Sequence, residues 1–241
     1  MINIGINGFG RIGRAITRII SKSKDLKIKV INDIDEDIHN LSYLIKYDST
    51  YGKINYQITK DIKTNTISIN KNKIKFFSQK LINKVPWKKY NLDIVIDATG
   101  VEKNILEAKK ILNKKLKKVL ITHSPDKHID STLIMGVNEK TYDFKKHNII
   151  STSICDASAI GPILRELEEN FGVERGFITT LHPRLSYQNI LDGSLKSVSS
   201  VGHNWKDYSL GRDSISNLIP KNTTAIKAVI KCLKKLKNKI E

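Results

Sequence analysis

Two side chains in the second half of the chain could do covalent chemistry together. Cys155 lies in Ser151-Thr152-Ser153-Ile154-Cys155-Asp156-Ala157-Ser158-Ala159-Ile160-Gly161-Pro162, after the apolar run Asn148-Ile149-Ile150 and ahead of a helical pattern over 163–171. A strand that hands over to a helix N-terminus sets backbone N–H groups and the positive end of the helix dipole beside the thiol, which favours the thiolate. His182 ends the strand-like run Gly176-Phe177-Ile178-Thr179-Thr180-Leu181. An imidazole within reach of a thiol can hold it as an ion pair and move a proton during catalysis. A single cysteine is more often a small buried hydrophobe, so the pair acquires meaning only from the elements that would position it.

Those elements begin with a short, continuously apolar strand over 2–6, of the kind buried in a parallel sheet. Asn7-Gly8-Phe9-Gly10-Arg11-Ile12-Gly13-Arg14 follows at once, and Ile12, Ala15, Ile16, Ile19 and Ile20 recur at helical spacing. In this Gly-x-Gly-x-x-Gly pattern Gly8 allows the tight turn. Gly10 lets the backbone approach a pyrophosphate, and Gly13 lets helix and strand pack closely. The helix N-terminus would then face the phosphates. A second strand over 27–32 ends at Asp33, where a carboxylate would accept from the adenosine ribose hydroxyls and repel a 2′-phosphate, favouring NAD over NADP. The competing reading of Asp33 is the N-cap of a helix that opens near Ile38.

Further on, the spacing predicts a helix over 38–47, hairpin strands over 67–69 and 74–77, a buried strand over 91–97, a helix over 105–116 and a strand over 119–122. Strand ends at Asn7, Asp33, Thr99 and Thr122 would line one carboxyl edge, where ligands of parallel sheets bind. The expected fold class is α/β: a doubly wound parallel-sheet (Rossmann) NAD-binding domain over 1–150, then a truncated α+β catalytic domain over 151–241. Residues 183–218 carry little periodic signal, and an amphipathic helix marked by Ile226, Val229, Ile230, Leu233 and Ile240 runs to the end.

Composition narrows the function classes. The 241 residues are 39% hydrophobic and 27% charged, ordinary for a globular protein. No apolar run approaches the ~20 residues of a membrane span. The first residues enter a strand pattern directly, so no signal peptide is expected. Two cysteines, Cys155 and Cys232, make no disulfide framework, and a reducing cytoplasm is the expected compartment. The net charge of +18 would suit nucleic acid, but the lysines are spread along the chain beside isoleucines and asparagines. Their densest stretches, 109–118 and 231–239, fall on helical patterns as solvated faces. Neither a nucleic-acid nor a membrane partner is expected.

With these pieces in order, the sequence resembles the glyceraldehyde-3-phosphate dehydrogenase family. The match runs through the glycine loop, Ile31-Asn32-Asp33, Leu44-Ile45-Lys46-Tyr47-Asp48-Ser49, Ala98-Thr99-Gly100-Val101, Met135-Gly136-Val137-Asn138, the Cys155 segment, Thr179-Thr180-Leu181-His182 and Asn217-Leu218-Ile219-Pro220. The resemblance implies that Cys155 attacks a phosphorylated sugar aldehyde to give a thiohemiacetal, with His182 as base. A hydride passes to NAD, and inorganic phosphate cleaves the resulting thioester. It implies backbone contacts from Arg11 and Ile12 to the pyrophosphate, Asp33 on the ribose, Lys80 by the adenine, Thr122 by the nicotinamide and Thr223 in a phosphate site. It also implies a homo-oligomer, a tetramer in the family. The relative that oxidises erythrose 4-phosphate shares most of these motifs.

Several positions depart from the family pattern. Around the nucleophile the family carries Ser-Cys-Thr-Thr-Asn, and here stands Ile154-Cys155-Asp156-Ala157-Ser158. Ile154 removes a hydroxyl donor. Asp156 brings a negative charge to both the thiolate and an incoming phosphate. Two like charges ~5 Å apart repel by about 3 kcal/mol at an effective dielectric of about 20, and Asp156 should raise the thiol pKa. Leu185 stands for a phosphate-gripping threonine, Thr224 for a glycine, and Arg184 adds a positive charge nearby. The family also continues past the last helix with further strands, an arginine and an asparagine, so a C-terminally shortened copy is expected. The readings that follow are the dehydrogenase, a degenerate NAD-binding relative without turnover, and a basic module that binds RNA or a partner.

Overall fold

The computed structural model describes residues 1–185, 188–194 and 208–241. Its strands are β1 (Ile2–Asn7), β2 (Leu26–Asn32), β3 (Ile58–Asp61), β4 (Thr66–Ile69), β5 (Asn72–Phe77), β6 (Ile94–Asp97), β7 (Lys118–Ile121), β8 (Ser131–Thr132) and β9 (Ile149–Ser151). They form one nine-stranded sheet in the order β3-β4-β5-β2-β1-β6-β7-β9-β8. From β5 to β8 every pairing is parallel, whereas β3, β4 and β5 run as an antiparallel meander at one edge. The helices are α1 (Arg11–Ile20), α2 (Ile38–Lys46), α3 (Glu102–Ala108), α4 (Cys155–Asn170) and α5 (Ala225–Cys232).

Continuous apolar strands make sense here because both faces of the sheet are covered. Ile4, Ile6, Ile28 and Ile31 are buried with Ile20 of α1 and Leu41 and Ile45 of α2 on one side. Val30, Val95, Val119, Ile121 and Ile149 are buried with Trp87 and with Ile105 and Ala108 of α3 on the other. A third cluster joins Ala157 and Leu164 of α4 to Ile226, Ala228 and Val229 of α5, with Ile134, Leu236 and Ile240. This is the doubly wound α/β fold expected from the strand–glycine loop–helix order.

Several local expectations change. The buried side of α1 is Gly13, Thr17, Arg18 and Ile20, while Ile12 and Ile19 are exposed. Gly13 must face β1 for helix and strand to approach, and that rotation turns Ile12 and Ile19 outward. Arg18 is buried on that inner side and donates to the carbonyls of Ile45, Lys46, Tyr51 and Gly52, closing the C-terminus of α2. Asp37, not Asp33, is the N-cap of α2, accepting from the N–H groups of His39 and Asn40.

The helix expected over 105–116 starts at Glu102 and ends as a 3-10 turn at Ile111. The strand expected over 91–97 starts at Ile94, because Asn91 is left-handed at φ 49°. The helix expected from 163 begins at Cys155 and runs through Pro162. The final helix stops at Cys232, and the chain then turns through Lys234–Leu236 and a left-handed Asn238. Residues 176–181 form no strand: Gly176 makes an isolated parallel bridge with Ile240, the Ile178 N–H donates to the Glu241 carbonyl (2.8 Å), and Phe177 and Leu181 are exposed. The segment over 183–218 lies partly outside the described residues. Lys118, expected on a solvated helix face, is buried in β7 and donates to the carbonyls of Phe144 and His147.

Candidate active site

The carboxyl ends of β2, β1, β6, β7 and β9 lie side by side, and the chemistry-bearing residues leave the sheet there. After β1, Gly8 takes φ +93°, a conformation open to glycine, and its N–H donates to the Asn32 carbonyl (2.7 Å). A Cβ on Gly13 would land on the Gly8 carbonyl, whereas one on Gly10 would meet nothing within 4 Å. Gly13 is therefore a close-packing position and Gly10 an open one. Gly10 is also the N-cap of α1 and offers no side-chain cap, so the first N–H groups of the helix remain available to an anion. Arg11 and Ile12, in that first turn, are exposed. Arg14 donates to the Phe9 carbonyl (2.9 Å) and holds the loop from below.

Asp33 follows β2, and its Oδ2 accepts from the Phe9 N–H (2.5 Å) while Oδ1 accepts from the Asp35 N–H (3.0 Å). A carboxylate has about four lone-pair directions, which leaves acceptor capacity for ribose hydroxyls beside the glycine loop. Lys80 is exposed just past β5, next to Gln79, whose N–H donates to Asn32 Oδ1 (2.8 Å). Thr122 follows β7 and donates its N–H to the Asp97 carbonyl (3.1 Å). An open glycine, an uncapped helix start and an adjacent acid with spare acceptors together fit a dinucleotide.

Beneath this edge runs a buried polar chain that the sequence reading missed. Asn32 Nδ2 donates to Asn7 Oδ1 (2.7 Å), and Asn7 Nδ2 donates to Asp97 Oδ1 (2.8 Å). Thr99 Oγ1 donates to the same oxygen (2.9 Å) and accepts from Asn104 Nδ2 (3.0 Å). The available signal was an acid closing the apolar run Ile94-Val95-Ile96-Asp97. Burial pushes the Asp97 carboxyl from 3.8 up to about 6, against the hydrogen bonds from Thr99 and Asn7. Between those two values the folded chain binds more proton than the unfolded one, so stability is lost as pH rises through the window. The shift corresponds to up to about 3 kcal/mol. Relative to the parent chain, Asp97→Asn should therefore gain stability between pH ~4 and pH ~7. Urea denaturation at both pH values checks this, and an unchanged difference between the two chains would refute it.

The turn from β9 into α4 positions the nucleophile. Ser153 is left-handed at φ +64° and buried, with its N–H donating to Ser151 Oγ (3.0 Å). A non-glycine residue held there stores about 1 kcal/mol or more, and the turn delivers Cys155 as the first residue of α4. Ile154, half-buried against the third core cluster, is the N-cap and supplies no side-chain acceptor. Cys155 Sγ lies 3.7 Å from His182 Nε2 and 3.5 Å from Asp156 Oδ1. His182 Nδ1 is 2.8 Å from the Pro183 carbonyl, which can only accept, so Nδ1 carries the hydrogen and the Nε2 lone pair faces the sulfur. Loss of solvent around the sulfur, and then the Asp156 charge, hold the Cys155 thiol above its ordinary value. Asp156 thus opposes the helix dipole.

The structure brings Cys155, Asp156 and His182 together, with Ile154 next to the sulfur in the chain. Leu185 donates its N–H to Gln188 Oε1 (2.6 Å) and Arg184 is exposed. Thr223 Oγ1 accepts from the Ala225 N–H (3.1 Å), and Thr224 is the exposed N-cap of α5. Among the described residues no hydrogen bond or ion pair ties Arg184, Thr223 or Thr224 to Cys155 or His182. Two concavities, of about 860 and about 580 Å³, include neither Cys155 nor His182 in their walls. Cys155 and His182 are both exposed.

Comparison with known proteins agrees with both halves of this arrangement. The model described as "Glyceraldehyde 3-phosphate dehydrogenase, NAD binding domain" matches residues 2–105, and the one described as "Glyceraldehyde 3-phosphate dehydrogenase, C-terminal domain" matches residues 154–241. The chain is 36% identical over 240 residues to glyceraldehyde-3-phosphate dehydrogenase 1 of Bacillus cereus, covering 100% of this chain and 68% of that protein. It is 37% identical over 241 residues to the Chlamydia muridarum glyceraldehyde-3-phosphate dehydrogenase, covering 99% and 68%. The same identity over 241 residues relates it to glyceraldehyde-3-phosphate dehydrogenase 2 of Streptomyces avermitilis, covering 100% and 68%. No helix among the described residues is long and apolar enough to cross a membrane. A glycine loop fit for a dinucleotide, a cysteine–histidine pair on the same sheet edge and matches to both domain models place this chain in the glyceraldehyde-3-phosphate dehydrogenase family, with NAD as its cofactor.

Proposed function

We propose that this chain oxidises glyceraldehyde 3-phosphate through Cys155, with His182 as base and inorganic phosphate as acceptor. The observation that carries the reading is the 3.7 Å approach of His182 Nε2 to Cys155 Sγ, at a helix start that leaves the same sheet edge as the glycine loop. His182 takes the thiol proton, the sulfur attacks the aldehyde carbon to form a C–S bond, and the imidazolium returns the proton to the carbonyl oxygen as its π bond breaks, which leaves the thiohemiacetal and a neutral imidazole. The imidazole then withdraws the hydroxyl proton of the thiohemiacetal as its C–H bond breaks. NAD, when bound, supplies the hydride acceptor. A phosphate oxygen next attacks the thioester carbon, the C–S bond breaks, and the thiolate leaves to be protonated again.

In this reading residues 1–150 carry the cofactor and 151–241 the catalytic side chains. Gly8, Gly10, Arg11, Ile12, Asp33, Lys80, Thr99 and Thr122 form the NAD site, and Asn7 and Gly13, both buried, hold the loop from beneath. Ile154, Asp156, Arg184, Leu185, Thr223 and Thr224 border the substrate. The partners are the phosphorylated aldehyde, phosphate and further copies of the chain, in the cytoplasm.

One observation favours a second reading, an NAD-binding relative without turnover. Asp156 stands 3.5 Å from the sulfur and holds the thiol protonated to higher pH. It would also repel the incoming phosphate. Reduction of NAD by the purified chain with glyceraldehyde 3-phosphate and phosphate decides between the two, with erythrose 4-phosphate in a parallel reaction. Turnover on the first aldehyde supports the proposal, and preference for the second reassigns the substrate. A folded chain that binds NAD and reduces none overturns it.

A further inference from the structure

We propose that Cys155, Asp156 and His182 form a Zn²⁺ site, in which the metal takes the same sulfur that the aldehyde would. A thiol, a carboxylate and an imidazole are the three donor types that zinc binds in proteins. Their ligand atoms all lie within 4.8 Å of one another. In a tetrahedral site with Zn–S near ~2.3 Å and Zn–N or Zn–O near ~2.0–2.1 Å, sulfur stands about 3.5 Å from each of the other ligands. The sulfur stands 3.5 Å from Asp156 Oδ1 and 3.7 Å from His182 Nε2. Both edges through the sulfur are already near the required length. The third edge closes by side-chain rotation of the half-buried Asp156.

The outer shell points the same way. A zinc-bound histidine commonly donates its second ring N–H to a carboxylate or a backbone carbonyl, which fixes the ring and leaves the other lone pair for the metal. His182 does this through Nδ1 and the Pro183 carbonyl, 2.8 Å apart. Cys155 and His182 are both exposed, so three protein ligands leave a fourth position open to water. Binding displaces the thiol proton into solvent. The two positive charges of the ion then meet one thiolate and one carboxylate, and the site is neutral. Magnesium and calcium, which require sets of oxygen ligands, do not fit this donor set. Without Asp156 the cluster falls to two protein ligands. Zinc binding itself is independent of the dehydrogenase reading; only its consequence, that bound zinc blocks attack on an aldehyde, rests on that reading.

The test is a titration of the full chain, stripped of metal, with Co²⁺ as spectroscopic stand-in and then with Zn²⁺ against a chromophoric chelator. One equivalent of Co²⁺ should give tetrahedral visible bands with thiolate-to-cobalt charge transfer, and Zn²⁺ should displace it. Asp156→Asn should weaken Zn²⁺ at least ~10-fold, about 1.4 kcal/mol. Cys155→Ser should remove the charge-transfer band, and Cys232→Ser should leave it in place. An octahedral cobalt spectrum, unchanged zinc affinity in Asp156→Asn, or loss of the band in Cys232→Ser would overturn the site. In the unsubstituted chain one equivalent of Zn²⁺ should slow iodoacetamide alkylation of Cys155, and an unchanged alkylation rate would also overturn it. No readout requires turnover, so an inactive chain leaves the zinc result legible.

Discussion

Cys155→Ala is expected to abolish NAD reduction with glyceraldehyde 3-phosphate while leaving NAD affinity unchanged. Alanine removes the atom that forms the C–S bond, and the other free cysteine, Cys232, cannot replace it. Burial pushes the Cys232 thiol pKa up to about 11, and its sulfur donates to the Thr132 carbonyl (3.5 Å). His182→Ala should be milder, lowering kcat by about 10²–10⁴-fold, the usual worth of a positioned general base. The asymmetry follows from the geometry: without the imidazole the sulfur remains at the first turn of α4, where it can still lose its proton to water. Steady-state kinetics with NAD titrated by fluorescence quenching checks both. Residual turnover in Cys155→Ala above a no-protein control would move the nucleophile elsewhere.

Gly13→Ala is expected to cost at least about 100-fold in NAD affinity, about 2.7 kcal/mol. The added Cβ would collide with the Gly8 carbonyl oxygen and come within 3.0 Å of the Gly8 carbonyl carbon. Both atoms are backbone, so no side-chain rotation relieves the clash. Helix α1 or the loop at Gly8 must move, and Gly8 is itself wedged against the Ala98 backbone at the end of β6. Moving either one breaks the alignment of the helix N-terminus with the loop. Gly10→Ala is the informative partner. Its Cβ meets nothing within 4 Å, so folding should be unchanged while the space for a bound pyrophosphate shrinks. Thermal denaturation alongside NAD titration separates the two variants. Normal NAD affinity in a folded Gly13→Ala chain would show that this packing does not hold the cofactor loop.

The chemistry was more legible in the sequence than the packing. The strand–glycine loop–helix order announced a doubly wound sheet, because turn, phosphate approach and close packing each require glycine at a fixed offset. Cys155 and Asp156 could be placed at a helix start because an apolar run leads into them. Asp156 was also expected to raise the thiol pKa, since it adjoins the sulfur in the chain. Periodicity failed where a tertiary contact outweighed it. Ile12 and Ile19 read as core but are exposed, because Gly13 takes the inward direction on α1. Lys118 read as surface but is buried, and Arg18 is buried on the inner side of α1, since backbone carbonyls satisfy both from segments distant in sequence.

By itself, then, the sequence determined the residue types and the order of the elements that carry them: the glycine loop, the acid after β2 and the cysteine before α4. Those are local properties, set by offsets of a few residues. Only the tertiary structure decided that His182 reaches the sulfur although residues 176–181 make no strand. The fold also set the His182 ring hydrogen against Pro183 and joined Asn32, Asn7, Asp97, Thr99 and Asn104 into one buried chain. Such contacts span long stretches of chain and depend on rotamers and burial. Local spacing carries no information about either, because the side chains that meet are chosen by the fold.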